Sequence, residues 1–298
     1  MMDTKEAIHG VGTILIDFLK SGPSSPGHIE EIKSQISKIA LSLVTSPEEA
    51  TENYKEACKD FLDKVIAVKG MPIRVIGGVN QSEIASYGEH ATENFDSLLP
   101  KINSRYNWCI ENYKRQSKIY LNEQLAQFHD LLLEFLKQVP IGGTKDKLTK
   151  SKIAEIKSEL RCLTKWTQLF YTYKAISLSA EIKHVFALEG NVIAARWCYS
   201  QSDEQGEYQK TYNHKEQAGR MYAVRGNWAI ENGLMKVGPN GYIDEISLPN
   251  QEIGCMCNFV YLHSPRELTE DMLTAKGKAW INAKDDTRRA ISGSANIK

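Results

Sequence analysis

The sequence predicts an α+β fold, in which an extended, mainly α-helical N-terminal part precedes a small, loop-rich α+β domain. Apolar residues recur every three or four positions through long stretches before residue 189, as on the buried face of a helix. Ten of the 20 glycines lie in the first 189 residues and ten in the last 109, so glycine density nearly doubles. We therefore predict a helical domain at 1–189, a small α+β domain at 190–284 and a polar, disordered tail at 285–298.

Three helices are predicted at the start of the chain. Residues 5–20 carry apolar side chains at helical spacing, and the Ser, Gly and Pro residues of 21–27 end that helix. A second apolar stripe covers 29–43. Ser46 and Pro47 then form a typical helix start, with a capping hydroxyl before a proline at the first helical position. The segment 73–78 is a short strand or an irregular loop, and 82–98 is predicted to be helical.

Two longer helices are predicted to form an antiparallel hairpin. Pro100 opens the first of them, which continues to about Lys137. The turn at 140–143 contains one proline and two glycines. Thr149 can cap the second helix, whose apolar stripe reaches Ala180. Long helices joined by a short connection usually pack as antiparallel neighbours.

The second part contains shorter elements. Residues 192–199 are a candidate strand, and the glycines around Pro239 indicate loops or hairpins. A short helix is predicted at 267–279. These elements make a small domain with many turns.

Composition excludes several classes of protein. The 37 basic and 37 acidic residues give zero net charge, and the part after residue 189 is itself balanced at 13 against 13. Broad electrostatic binding of nucleic acid is therefore not expected, although the sequence allows local contact with DNA. We expect no membrane-spanning segment and no secretory signal at the start. Six cysteines in 298 residues do not make a disulfide scaffold.

Cys255 and Cys257 are the strongest candidates for metal ligation. Residues two apart on an extended strand point to the same face, so the two thiolates could coordinate one Zn²⁺. Zinc needs further ligands, and His214, His263 and Cys198 are the available choices. The alternative is a pair of small cysteines buried on a core strand.

An enzyme is the alternative functional hypothesis. Zinc nucleobase deaminases carry a His-x-Glu segment and a later cysteine pair, which His214, Glu216 and the Cys255/Cys257 pair resemble in outline. A nuclease or deaminase would use these four residues as its zinc-dependent site. However, one residue separates the two cysteines here, where the deaminase motif has two. No phosphate-binding glycine loop, nucleophile elbow or HExxH motif is present, so the motifs favour a protein without enzymatic activity and leave the enzyme hypothesis as the alternative.

The second part also resembles a known protein family. Residues 214–222 (HKEQAGRMY) and 249–257 (PNQEIGCMC) are similar to the C-terminal region of tailed-phage head morphogenesis proteins, the Mu F-like minor head proteins. The similarity extends over roughly 190–280 and includes residues 226–230 and 264–268. Met256 stands where that family often has arginine between the cysteines.

The resemblance implies a minor structural protein of a phage or prophage particle. Such a protein would lie near the portal or inside the head, and would act in virion assembly or in DNA packaging and ejection. Its partners would be portal or capsid proteins, with self-association through the long helices. Its location would be the virion, and the host cytoplasm during assembly. His214, Cys255 and Cys257 would then stabilise a compact fold, with structural zinc or without it.

Overall fold

The computed structural model confirms the mixed α+β fold with a mostly helical N-terminal part. It describes residues 4–70, 95–143, 149–199, 214–251, 255 and 257–283, with side chains 149–150 and 164–176 left aside. The predicted segments at 73–78 and 82–94 and the tail at 285–298 lie outside the described residues. Helices in the described part are α1 (Thr4–Ser21), α2 (Pro26–Ser42), α3 (Pro47–Val68), α4 (Phe95–Gln138), α5 (Thr149–Glu189), α6 (His214–Gln217), α7 (Trp228–Glu231) and α8 (Ala275–Asn282).

The helix starts follow local capping chemistry. Glu49 donates its backbone N–H to the Ser46 hydroxyl at 3.1 Å, so α3 begins where the Ser-Pro pair predicts. The Ser25 side chain caps α2 in the same way. Helix α4 differs from the expectation, because Pro100 lies inside it rather than at its start. Proline has no N–H to donate, so the helix lacks one backbone hydrogen bond at this position.

The chain divides into two compact units, and neither is a single stretch of sequence. Unit 1 comprises residues 1–56 and 110–172, and unit 2 comprises 57–109 and 173–298. These limits fall inside α3, α4 and α5. The change from helix to strand nevertheless occurs where glycine density rises, between Glu189 at the end of α5 and Ala194 at the start of the first strand.

Unit 1 is a packing of helices around one apolar core. Lys152 near the start of α5 pairs with Glu134 near the end of α4 at 3.0 Å, as in an antiparallel hairpin. At the end of α1, Gly22 has φ +67° and lies against the 140–143 turn, where a Cβ would come within 2.6 Å of the Pro140 carbonyl oxygen. The buried core consists of Ile8, Val11, Leu15, Phe18, Leu19, Ile36, Ala40, Phe128, Leu132, Phe135, Leu136, Val139, Ile153, Ile156, Leu160 and Leu163.

Unit 2 contains a three-stranded antiparallel sheet. Its strands are β1 (Ala194–Cys198), β2 (Met221–Ala223) and β3 (Asn258–Leu262), in the order β2-β1-β3. Ala195 pairs with both Tyr222 and Tyr261, and Trp197 pairs with Phe259. Strand β1 is therefore central, which explains why four of the five residues in AARWC are partly or fully buried.

The sheet separates two cores in unit 2. Because side chains alternate along a strand, Ala195, Trp197, Tyr222, Phe259 and Tyr261 share one face. We call this the aromatic face. The opposite face packs on loops, 3-10 turns and α8, through Ile193, Ala194, Met221, Ala223, Ala229, Leu234, Met235, Leu262, Leu268 and Met272. Across the described residues, no helix has the length and apolarity needed to cross a membrane.

Candidate metal centre

Three of the predicted ligands converge at one end of the aromatic face. His214, Cys255 and Cys257 each offer a donor atom, and these three atoms lie within 4.8 Å of one another. Within the part of the chain that the structure describes, this is the group of His, Cys, Asp or Glu residues that is compact enough for a metal ion. The sequence prediction of a Cys-x-Cys pair joined by His214 is thus realised as a spatial cluster.

The strand pattern positions the two cysteines. Cys257 directly precedes β3, and Cys255 lies two residues before Cys257. Because alternate residues of an extended chain point to the same side, both thiols lie on the aromatic face. Both residues are buried, with exposed fractions of 3% for Cys255 and 0% for Cys257. Both are free thiols. They lie in the core behind Phe259, which leaves the thiols facing protein rather than water.

His214 reaches the cysteines from a different part of the chain. It is the first residue of the short helix α6, and its ring packs edge-on against Trp197 of β1 at 5.6 Å between ring centres. Its Nδ1 lies 3.7 Å from the Cys257 Sγ. Trp197 in turn packs at right angles on Phe259. The aromatic face therefore holds the imidazole beside the thiol.

The distance between the His214 and Cys257 donor atoms fits a tetrahedral ion. With zinc–sulfur bonds of about 2.3 Å and zinc–nitrogen bonds of about 2.1 Å, tetrahedral angles place a sulfur and a nitrogen ligand roughly 3.6 Å apart. The distance of 3.7 Å between Cys257 Sγ and His214 Nδ1 agrees with this value. It also agrees with a weak thiol–imidazole hydrogen bond, so the arrangement is compatible with both metal-free and metal-bound states. The three residues lie close enough to hold a metal.

A turn before the cysteines donates hydrogen bonds to them. The backbone N–H of Asn250 donates to the Cys255 Sγ at 3.3 Å. The Asn250 side-chain amide donates to the Cys257 carbonyl oxygen at 2.8 Å. Asn250 has φ +67°, a left-handed conformation that asparagine tolerates better than most residues. One residue thus contacts both members of the cysteine pair.

Without a metal, the cysteine pair favours the protonated state. The pKa of Cys255 is raised, first by its side-chain hydrogen bond with Cys257 and next by burial, which disfavours a thiolate. A bound dication reverses this preference, because it stabilises the thiolate directly. Metal binding here would therefore release protons and weaken as the pH falls.

A buried polar network lies next to the turn, and sequence reasoning missed it. Glu181 of α5 is only 2% exposed, lies 3.5 Å from the Arg105 guanidinium and accepts a 2.7 Å hydrogen bond from the Gln251 amide. One turn further along α5, His184 bonds the Tyr261 hydroxyl at 3.0 Å. Burial, with a smaller contribution from Arg105, lowers the pKa of His184 to about 4. The available signal was the spacing of Glu181 and His184, which places both on one helix face.

The other predicted residues lie elsewhere. His263 follows the far end of β3 from Cys257, and its Nδ1 contacts the Gly190 carbonyl oxygen at 3.1 Å. Cys198 alternates with Trp197 on β1 and is thus directed away from the aromatic face. Glu216 is exposed on α6, two residues after His214. The structure brings none of these three into the cluster.

No protein-family model matches this chain, and comparisons with curated proteins and with solved structures yield no match either.

Proposed function

We propose that this chain is a minor structural protein of a phage or prophage particle, associated with the head or portal. It acts in virion assembly or in DNA packaging and ejection, and carries out no turnover chemistry. Zn²⁺ bound by His214, Cys255 and Cys257 stabilises its sheet-containing unit. Its partners are portal or capsid proteins.

The observation that supports this proposal is the convergence of the residues on which the family resemblance rests. His214 and Cys257 are 43 positions apart in sequence, yet their donor atoms lie 3.7 Å apart. The donor set of two thiols and one imidazole suits zinc, because soft sulfur ligands select Zn²⁺ over magnesium or calcium. These residues are far apart in sequence, so their convergence on one site supports the family resemblance.

Burial favours a structural rather than a catalytic role for the metal. Cys255 and Cys257 are almost completely enclosed, and the aromatic face covers them. A reacting substrate would need access to an open coordination position. The tight enclosure instead matches a metal whose binding energy contributes to folding.

A zinc-dependent nuclease or deaminase is the second candidate. The observation in its favour is the number of ligands, since three protein ligands are typical of catalytic zinc sites. Glu216 would be its proton-transfer group. The two candidates are separated by assaying nucleic-acid cleavage and deamination with the wild type, His214→Ala and Glu216→Gln. Turnover that both substitutions abolish would replace the structural proposal with the enzymatic one.

Metal analysis tests the site directly. We expect one zinc per chain in the purified protein, and a chelator should lower the Tm by about 10 °C or more, because the metal's binding energy is folding energy. Cys257→Ser should lose the zinc and the response to chelator. Cys162→Ser is the matched control, since Cys162 is an exposed cysteine in α5. Equal zinc content in both variants would contradict the assignment.

Particle association tests the biological role. We expect the protein to co-sediment with particles released from the host that carries the gene, and to remain bound after nuclease treatment. A soluble protein of similar mass, added before sedimentation, controls for trapping. Absence from purified particles and from assembly intermediates would overturn the proposed function while leaving the metal site intact.

A further inference from the structure

The turn at 248–251 is connected to the metal centre by two hydrogen bonds. Asn250 donates one hydrogen bond to the Cys255 sulfur and another to the Cys257 backbone oxygen. Within the turn, the Leu248 N–H donates to the Gln251 side-chain oxygen at 3.0 Å. The two cysteines are therefore held from the same side by one short segment.

The same turn is fixed to α5 through a buried carboxylate. Gln251 donates its amide to Glu181, and Glu181 pairs with Arg105. Burying a carboxylate is costly unless charge and hydrogen bonds compensate it, and Arg105 and Gln251 provide both. Seventy residues separate Glu181 from Gln251, so this contact is a tertiary anchor for the turn.

The side-chain oxygen of Asn250 is buried and accepts no hydrogen bond from the described residues. The residue is 4% exposed, and its Oδ1 has no hydrogen-bond partner within the described part of the chain. The amide orientation is set, because Nδ2 must face the Cys257 carbonyl oxygen. A buried oxygen without a donor is commonly satisfied by an ordered water molecule, so this atom can take one more hydrogen bond.

We infer that Asn250 is the positioning residue of the metal centre and that Glu181, through Gln251, holds Asn250 in place. This inference rests on the metal site of the proposed function. The N–H···S bond stabilises the Cys255 thiolate, and the side-chain bond fixes the backbone at Cys257. Residues that orient metal ligands in this way typically contribute a factor of 10–100 to metal affinity.

Zinc affinity of three variants tests the inference, measured by competition with a chromogenic chelator. Asn250→Gly keeps the backbone N–H and suits φ +67°, so it removes the side-chain contact without straining the turn. We expect Asn250→Gly and Glu181→Leu, which removes the acceptor for the Gln251 amide, to bind Zn²⁺ 10–100 times more weakly than the wild type. Asn240→Ala is the matched control, because Asn240 donates a similar bond to the Met221 carbonyl oxygen, and the Met221 side chain lies on the opposite face of the sheet. It should bind zinc like the wild type.

Two further readouts separate positioning from a general loss of structure. Metal-free Asn250→Gly should keep a cooperative thermal transition, with its Tm lowered only as far as the loss of one buried hydrogen bond requires, and the visible spectrum of its Co²⁺ complex should change. Wild-type affinity in Asn250→Gly, or equal weakening in Asn240→Ala, would overturn the inference and leave the zinc site standing. A wild type that binds neither Zn²⁺ nor Co²⁺ would overturn the site and the inference together.

Discussion

Unit 1 and unit 2 are stabilised in different ways. The core of unit 1 is one continuous set of aliphatic and phenylalanine side chains from α1, α2, α4 and α5. Unit 2 has a smaller core on each face of its three-stranded sheet. Both units bury neutral polar side chains, but among the described residues unit 2 is the one that also buries a carboxylate, Glu181, and an imidazole, His184. An apolar core is stable with any apolar side chains of roughly the right shape and volume, whereas each buried polar group needs a hydrogen-bonding partner in a defined position. Unit 2 should therefore be more sensitive to pH and metal than unit 1.

The largest effect should come from a cavity in unit 1. Phe128 is fully buried in its core, and Phe128→Ala should reduce the free energy of unfolding by about 4 kcal/mol. Ile119→Ala, on the same helix but 49% exposed, should cost less than about 0.5 kcal/mol. Hydrogen exchange along the chain checks this, with protection lost in α1, α2, α4 and α5. Equal effects of the two substitutions would argue against a single packed core.

Loss of a single polar side chain in unit 2 should lower the free energy of unfolding almost as much as the Phe128 cavity does in unit 1. Asn227 accepts hydrogen bonds from the N–H groups of Ala229 and Ile230, and donates to the carbonyl oxygens of Ile193 and Val224. Asn227→Ala leaves these groups unpaired and should cost about 3 kcal/mol in chemical denaturation. Asn227→Ser keeps an acceptor for the helix start and should lose roughly half as much. A cost below about 1 kcal/mol for Asn227→Ala would show that these four hydrogen bonds contribute little to the stability of unit 2.

Mild acid should destabilise unit 2 through His184. Its pKa is lowered to about 4 in the folded protein, so the unfolded chain takes up a proton first as the pH falls below about 6.5. Stability is therefore lost between pH 6.5 and 4, by about 2 kcal/mol on going from pH 7.5 to pH 5. Denaturation across this range measures it, and His184→Gln should flatten the curve. A profile that is unchanged in His184→Gln would assign the acid sensitivity to other groups.

The same difference explains what could be predicted from sequence. The helices of unit 1 follow from local periodicity and from caps such as Ser46, so α1 to α3 and the α4–α5 hairpin were predictable. The pairing of Cys255 and Cys257 on one face follows from the period of a strand. The sheet order, with β1 between β2 and β3, depends on long-range pairing that no short pattern encodes.

Long-range polar contacts were the part that could not be predicted. Glu181 contacts Gln251 across 70 residues, and nothing in the sequence near either residue marks the pair. His214 was one of three candidate partners for the cysteines, because spacing alone does not distinguish it from His263 or Cys198. The distinction comes from the tertiary packing of His214 against Trp197.

The separation of His214 from Cys257 in sequence also has a consequence for the unfolded chain. A metal that joins them closes a loop of 43 residues, which contains β2, α7 and the Asn250 turn. By analogy with a disulfide of that span, closing such a loop restricts the unfolded chain by about 4 kcal/mol of entropy. Unlike a covalent bond, this cross-link opens when protons compete for the sulfur atoms. It would act as a reversible cross-link around about a quarter of the residues of unit 2.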